Sequence, residues 1–118
     1  MNIKKEIEEL SKEFKLSQKT LIALGDENRQ YLILSMIEGG DCMGMRVNDI
    51  ASCTNLSRPA VSHHLKILKD AGIVKMREEG TKNYYYFVAD TESLDNMIRM
   101  LEHAKEIMMN LPNRKGDN

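Results

Sequence analysis

Apolar residues recur at helical spacing along most of this chain and at strand spacing in one short stretch. Side chains three and four positions apart share a helix face, so the periodic segments predict helices over about 3–14, 17–24, 27–38, 47–54, 58–70 and 91–110. Two runs rich in β-branched and aromatic residues, 73–77 and 83–88, flank Glu79-Gly80-Thr81. Strands on either side of such a turn predict a β-hairpin.

The ends of two predicted helices carry residues that start or stop a helix. Asp26 precedes helix 27–38 and Ser57 precedes helix 58–70, where each side chain can accept a first-turn N–H. Pro59 is tolerated in that first turn, because its amides have no helical partners. Gly72 ends the helix, since glycine readily adopts the left-handed conformation that follows a last turn.

The helical phase also predicts which side chains lie inside. The inward positions, helix by helix, are Tyr31, Leu32, Leu34, Ser35 and Met36, then Ile50 and Ala51, then Val61, Leu65 and Leu68. Cys53 follows Ile50 by three residues and is predicted to be a small buried side chain. His64 flanks the apolar side of its helix and is predicted to be half-buried and hydrogen-bonded. Of Tyr84, Tyr85 and Tyr86, which alternate along a strand, at least one should face the core and one the surface.

Together these elements predict a mainly α (α+β) winged helix-turn-helix with the order α-α-α-α-β-β-α and an extra helix at each end. A chain of 118 residues is long enough for one domain with a modest core. We expect that domain to span 1–111, with a helix-turn-helix at 47–70 and a wing at 73–88. Segments 1–24 and 91–111 are predicted to be dimerisation helices, and 112–118 a flexible tail.

The outward face of helix 58–70 is polar and basic. In a helix-turn-helix, the second helix enters the major groove with its N-terminal residues toward the base edges. Arg58 is placed to grip a guanine through two hydrogen bonds, while Ser62 and His63 can reach base edges or phosphates. Lys66, with residues of the hairpin, is predicted to contact phosphates, which position a protein without specifying sequence. The predicted DNA-contacting residues are Ser57, Arg58, Ser62, His63, Lys66, Arg77 and Lys82.

The distribution of charge supports this face more than the total does. The whole chain has a formal net charge of -1, which disfavours a nucleic-acid binder. Residues 57–89, however, hold six basic and three acidic side chains, whereas residues 90–118 hold four basic and six acidic ones. A basic patch on a near-neutral body is what phosphate binding requires. The alternative is that the basic helix face is simply solvated.

The composition bears on compartment and redox chemistry. Apolar residues make up 42% of the chain, with no Trp, so the core must be aliphatic and rich in Met. No apolar run approaches the roughly 20 residues that span a bilayer, and the polar N-terminus does not resemble a signal peptide, so we expect a cytoplasmic protein. Cys42 and Cys53 lack a CxxC partner, which argues against a disulfide scaffold or a zinc ribbon. A redox pair of these two thiols stays open.

Apolar stripes run along both terminal helices. Leu94, Met97, Leu101, Ala104, Met108 and Leu111 repeat at strict 3-4 spacing. Packing on the domain's own core is one interpretation of these stripes. Helix-on-helix dimerisation is the other, and it is favoured because a narrow 3-4 seam suits a partner helix. The predicted dimer-interface residues are Ile3, Ile7, Leu10, Leu94, Met97, Leu101 and Met108.

Several of these motifs together resemble the ArsR family of bacterial repressors. The resemblance covers roughly residues 20–106 and rests on the ALGDENR stretch at 23–29, Asp49-Ile50-Ala51, the run 56–74, and 80–86. It implies a homodimeric, sequence-specific DNA-binding transcriptional repressor. It also implies a palindromic operator of double-stranded DNA, and release of that DNA by a metal ion or another inducer.

The family resemblance further implies where an effector would bind. Members that sense soft metals often carry Cys-x-Cys before the recognition helix, but here those positions are Arg46 and Asn48. A second family pattern, Asp-x-His-x10-His-x2-Glu, matches this chain with Glu in place of the first His. Because about 16 Å of helix separates its halves, two antiparallel copies would have to share the site. The implied ligands for zinc or another divalent metal are Asp90, Glu92, His103 and Glu106; an ordinary solvated face is the alternative.

Two other classes of protein compete with a repressor. An enzyme is not expected, because Ser62, His63 and His64 occupy successive helical positions that do not face one another. A winged helix can also serve as a protein-interaction module, and a MarR-like regulator would share the fold and respond to a small molecule. Loss of DNA binding on charge reversal at Arg58 and Lys66 would separate a DNA-binding protein from an interaction module.

Overall fold

The computed structural model describes residues 1–39 and 44–112. Its elements are α1 (Ile3–Leu16), α2 (Gln18–Gly25), α3 (Glu27–Gly39), α4 (Val47–Thr54), α5 (Arg58–Asp70), β1 (Val74–Glu79), β2 (Lys82–Phe87) and α6 (Glu92–Met109). Five helices precede the hairpin, as the periodic segments predict, which is one more than the order α-α-α-α-β-β-α counts. Within the described ranges no helix combines the length and apolar character needed to cross a membrane. Cys42 and the predicted tail beyond Pro112 lie outside these ranges.

The core lies between α2, α3, α4, α5 and the first strand. Its buried residues are Ala23, Leu32, Met36, Ile50, Val61, Leu65, Leu68, Ala71 and Val74. The predicted inward face of α5 is confirmed, since Val61, Leu65 and Leu68 are each 0% exposed. At roughly 1.5–3 kcal/mol for each fully buried aliphatic side chain, these three residues hold α5 firmly against the body. The opposite face of the helix is thereby fixed toward solvent.

The predicted face of α3 is partly wrong. Leu32 and Met36 are buried, but Tyr31 and Leu34 are 50% and 49% exposed. The third buried position of the helix is Arg29, at 6% exposure, so the inward face follows the spacing 29-32-36. With Arg29 on the buried face, the side of α3 that faces the core differs from the side that its apolar residues alone predict.

The prediction for Cys53 is also wrong, because its side chain is exposed. In α4 the buried positions are Ile50 and Thr54, which lie four residues apart. The Thr54 hydroxyl donates a hydrogen bond to the Ile50 carbonyl at 2.7 Å, which satisfies it inside the core. Position 53 lies about 100° before position 54 around the helix, and its side chain faces water.

The hairpin is anchored to the core at its centre. β1 and β2 are antiparallel, with Glu79 opposite Lys82, so Gly80 and Thr81 form a two-residue turn. Gly80 has φ +62° at the first central position, as a type II′ turn requires. Tyr85 exchanges two 2.8 Å backbone hydrogen bonds with Met45, just before α4, and its side chain packs on the core. The wing is therefore fixed relative to the start of the helix-turn-helix.

The terminal helices α1 and α6 pack against each other. The less exposed positions of each helix recur three and four residues apart. These positions are Ile3, Glu6, Leu10 and Glu13 on α1, and Met100, His103 and Ile107 on α6. Much of each apolar stripe is left in solvent: Ile7 is 49%, Leu101 52% and Met108 71% exposed. The radius of gyration is 18.3 Å, against about 13–14 Å for a compact domain of this length, so the protein is elongated.

Candidate nucleic-acid interface

The N-terminal half of α5 presents a polar face to solvent. The Ser57 hydroxyl accepts the Ala60 N–H at 3.2 Å, which confirms the predicted cap and fixes where the helix begins. The residues predicted on the outward face, Arg58, Ser62, His63 and Lys66, are all exposed, and so is Lys69 in the last turn of the helix. A capped, core-anchored helix with a basic outer face is the arrangement that a major groove accepts.

Arg58 lies in a shallow depression where α4, α5 and the turn of the hairpin meet. The other residues that line it are Arg46, Val47, Asn48, Thr81 and Asn83. The sequence pattern did not predict DNA contacts for Arg46, Asn48 or Asn83, because these residues lie in segments separate from α5. The only feature of the sequence that could have indicated these residues is that each is polar and lies beside a predicted helix or turn. The structure adds a second arginine and two amides to the surface around Arg58.

The wing carries two cationic side chains, Arg77 and Lys82, which differ in their surroundings. Arg77 pairs with Glu79 through its Nε at 3.0 Å and lies over the Tyr84 ring, 5.1 Å from its centroid. A phosphate would have to share or replace that carboxylate partner. Lys82 is exposed at the start of β2, beside the turn. The hairpin therefore offers one cation held in place and one that is exposed to solvent.

A buried arginine joins α2, α3 and α5. Arg29 donates from Nε to the Ala23 carbonyl at 2.8 Å and from Nη2 to the Ile22 carbonyl at 3.0 Å, near the C-terminus of α2. Its Nη1 lies 3.3 Å from His64 Nδ1 on α5. Asp26 accepts the Arg29 N–H at 2.9 Å, and this hydrogen bond lowers the pKa of Asp26. The ALGDENR stretch thus contains the end of α2, then Asp26, which caps the start of α3, and then the buried Arg29.

The predicted state of His64 is confirmed: it is half-buried and hydrogen-bonded. Desolvation, and then the charge of Arg29, lower the pKa of His64 from its ordinary value of 6.5. Because Arg29 can only donate, Nδ1 must accept, so the imidazole is neutral with its proton on Nε2. Because Nδ1 accepts this hydrogen bond from Arg29, it is unavailable as a general base.

The lowered pKa of His64 predicts a loss of stability in acid. In the unfolded chain His64 binds a proton near pH 6.5, whereas in the folded chain it does so only at a lower pH. The stability that is present above pH 6.5 is therefore lost as the pH falls through the lowered pKa of the folded chain. We expect the free energy of unfolding in urea to fall less between pH 7 and 5 for His64→Asn than for wild type. His63→Gln, at an exposed neighbour, should keep the wild-type slope. Equal slopes in all three proteins would contradict this assignment.

His103 on α6 faces α1 of its own chain. Its Nδ1 contacts a carboxylate oxygen of Glu13, and its Nε2 contacts one of Glu6 at 2.5 Å. These two hydrogen bonds, Glu13 first, raise the pKa of His103 to about 9. One ligand atom each from Glu6, Glu9 and His103 lie within 4.8 Å of one another. The imidazole is therefore only 15% exposed and is not part of a solvated face.

Among the described residues, the group of close ligand atoms around His103 does not include the other predicted ligands, Asp90, Glu92 and Glu106. The Asp90 carboxylate accepts the Glu92 N–H at 3.0 Å, at the beginning of α6. Glu92 and Glu106 are exposed. Sharing of these groups between two chains stays a prediction. The sequence pattern did not predict the α1 carboxylates as partners of His103, because nothing in it pairs Glu6 or Glu13 with a residue 90 or more positions away.

Comparison with known proteins identifies the family. Residues 26–76 match the family described as bacterial regulatory protein, arsR family. An uncharacterized HTH-type transcriptional regulator of Methanocaldococcus jannaschii is 46% identical over 68 residues, 58% of this chain and 73% of that protein. The transcriptional repressor SdpR of Bacillus subtilis is 36% identical over 96 residues, 81% of this chain and 91% of SdpR.

A solved structure agrees with these matches at the level of the fold. The homodimeric winged helix-turn-helix DNA-binding domain of a possible ArsR-family regulator from Mycobacterium bovis superposes with a TM-score of 0.58. It is 20% identical, and the match covers 86% of this chain and 90% of that one. With a repressor matched over nine-tenths of its length and the same fold in a solved structure, this chain belongs to the ArsR family of bacterial regulatory proteins.

Proposed function

We propose that this protein represses transcription by binding a palindromic operator as a homodimer. The observation that carries the proposal is the two-sided character of α5. Val61, Leu65 and Leu68 on its apolar side are fully buried, whereas Arg58, Ser62 and Lys66 on the other side are exposed. Arg58 also lies beside the turn of the wing. A protein that works on chromosomal DNA acts where that DNA is, so we place it in the cytoplasm.

The roles of the individual side chains follow from their positions. Arg58 reads a guanine in the major groove, and Ser62 and His63 contact neighbouring base edges or phosphates. Lys66 and Lys82 contact phosphates on either side, while Arg77 does so by exchanging its Glu79 partner. Arg46 joins this set because it lines the same depression as Arg58. Ser57 acts at the same surface chiefly as the cap that fixes the helix start.

The dimer part of the proposal rests on the apolar surface left by the terminal helices. Leu94, Leu101 and Met108 recur every seven residues on α6 and are 42%, 52% and 71% exposed. Ile7 and Phe14 show the same spacing on α1, at 49% and 48%. Exposed apolar stripes of this extent mark interaction sites. A second copy of the same helices would cover them and give the two-fold symmetry that a palindrome requires.

Arg58→Ala tests the reading helix. We expect operator affinity to fall by roughly 5- to 150-fold, because a bidentate arginine–guanine contact is worth about 1–3 kcal/mol of discrimination. Fluorescence anisotropy with the DNA upstream of the protein's own gene, measured against random DNA of equal length, gives both affinity and specificity. Lys66→Ala should instead weaken binding to both DNAs and reduce the slope of log affinity against log salt by about one.

Lys12→Ala on α1 is the matched control, since Lys12 is an exposed cation outside the DNA-facing surface. Its affinity and salt slope should equal those of wild type. If wild type binds the upstream DNA no more tightly than random DNA, and Arg58→Ala changes nothing at any candidate operator, the reading helix is not a DNA contact. The protein-interaction interpretation would then be preferred.

A further inference from the structure

We propose that Glu6, Glu9 and His103 bind a divalent transition-metal ion within a single chain, with Zn²⁺ as the fitting ion. The three side chains come from α1 and α6, and each offers one ligand atom in a group no more than 4.8 Å across. An imidazole with two carboxylates supplies three ligands, and water can complete a tetrahedral zinc site. The set is therefore sufficient without a second chain.

The two nitrogens of His103 have separate partners, as a ligating histidine requires. Nε2 contacts Glu6 and Nδ1 contacts Glu13, while Glu9 offers a ligand atom within 4.8 Å of those of Glu6 and His103. Ligating histidines almost always donate their other N–H to a carboxylate or carbonyl, which fixes the tautomer and orients the ring. Glu13 occupies that supporting position. This contact distinguishes the cluster from a group of surface carboxylates that happen to be near one another.

The charge of the cluster also favours a cation. Three carboxylates surround one imidazole, so the group carries a net charge of minus two even when His103 is protonated. A divalent ion in place of that proton reduces the repulsion between Glu6 and Glu9. The half-buried state of Glu6 and His103, at 27% and 15% side-chain exposure, limits the screening of this charge by water.

The α1 sequence places these carboxylates on one side of the helix. Glu6, Glu9 and Glu13 are three and four residues apart and therefore share a face, whereas Glu8 lies on another side. A bound ion would join α1 to α6 directly. This ligand set differs from Asp90, Glu92 and Glu106, so the two possibilities for His103 are distinguishable by mutation.

Isothermal titration calorimetry with Zn²⁺ tests the site, using EDTA-treated and dialysed protein without a histidine tag. A Cys42→Ser/Cys53→Ser background removes the thiols as competing ligands. We expect one Zn²⁺ per chain. We also expect affinity to fall at least 10-fold in Glu9→Gln, and by about 10- to 100-fold in Glu13→Gln through the supporting contact. Glu9 is exposed and its variant should fold normally, so its result does not depend on the stability of His103 variants.

Glu8→Gln is the matched control on α1, and Asp90→Asn with Glu92→Gln is the control on α6. Both control proteins should bind Zn²⁺ as the background protein does. Absorption spectra with Co²⁺ should show four-coordinate bands that disappear in Glu9→Gln. Loss of binding in the Asp90/Glu92 variant with retention in Glu9→Gln would overturn the proposal in favour of ligands shared between chains. Absence of Zn²⁺ binding in the background protein would overturn it outright. Neither result depends on DNA binding.

Discussion

Leu101→Glu is expected to make the protein monomeric and to weaken operator binding by roughly 100- to 10,000-fold. Leu101 is 52% exposed in the single chain, so a carboxylate there costs the fold little. In a dimer the same carboxylate would be buried without a partner among apolar residues, which strongly disfavours association. A monomer loses the effective concentration that the first bound half-site gives to the second, and this avidity is worth about 100- to 10,000-fold.

Analytical ultracentrifugation and anisotropy on a palindromic operator measure the two effects separately. Arg99→Glu is the matched control, because it introduces a carboxylate on the same helix about 200° away from position 101. This variant should remain dimeric. Binding of Leu101→Glu to a single half-site should equal that of wild type, since α5 is unchanged. A dimeric Leu101→Glu protein with normal operator affinity would show that the exposed stripe of α6 is not the interface.

Arg29→Met is expected to lower the free energy of unfolding by about 3 kcal/mol and the melting temperature by roughly 10 to 15 °C. Arg29 is 6% exposed and donates three hydrogen bonds, to the carbonyls of Ala23 and Ile22 and to His64. Methionine fills much of the same volume but leaves all three acceptors without a donor. Buried acceptors that lose their donor carry the full cost of desolvation, so packing alone does not compensate.

Urea denaturation of all variants at the same protein concentration measures this effect with the contribution of dimerisation held constant. Arg29→Lys should be intermediate, because an ammonium keeps the charge but cannot span acceptors on two helices with a planar fork. Arg99→Met, at an exposed arginine, should stay within about 0.5 kcal/mol of wild type. An Arg29→Met protein as stable as Arg99→Met would mean that the three hydrogen bonds contribute nothing net.

The local signals in the sequence predicted α5 and the wing almost completely. Ser57, Pro59 and Gly72 act within a few residues of themselves, and the hairpin turn depends on Gly80 and its neighbours. The apolar phase of α5 also gave its buried face correctly, because Val61, Leu65 and Leu68 leave one arrangement for an amphipathic helix. The DNA-facing set could therefore be proposed from residues 57–82 alone.

Which faces of α1, α3 and α6 are buried depends on contacts with residues that lie far away in the sequence. Arg29 rotates α3 because its acceptors are at the end of α2 and on α5. Glu6 and Glu13 occupy the packed side of α1 because His103, about 90 residues later, offers them two nitrogens. A sequence periodicity counts apolar residues only, so it places charged groups outside and misses faces that are held by buried polar contacts.

The sequence by itself determined the winged helix-turn-helix, the polar face of α5 and the family. The first two follow from caps, turns and apolar spacing that act over a few residues, and the family follows from the resemblance of the motifs at 23–29, 49–51, 56–74 and 80–86. Only the tertiary structure decided that Arg46 and Asn83 join Arg58, that His64 accepts from Arg29, and that His103 faces three glutamates of α1. Contacts between distant segments depend on how the helices pack, and burial of polar groups follows their partners rather than their hydrophobicity.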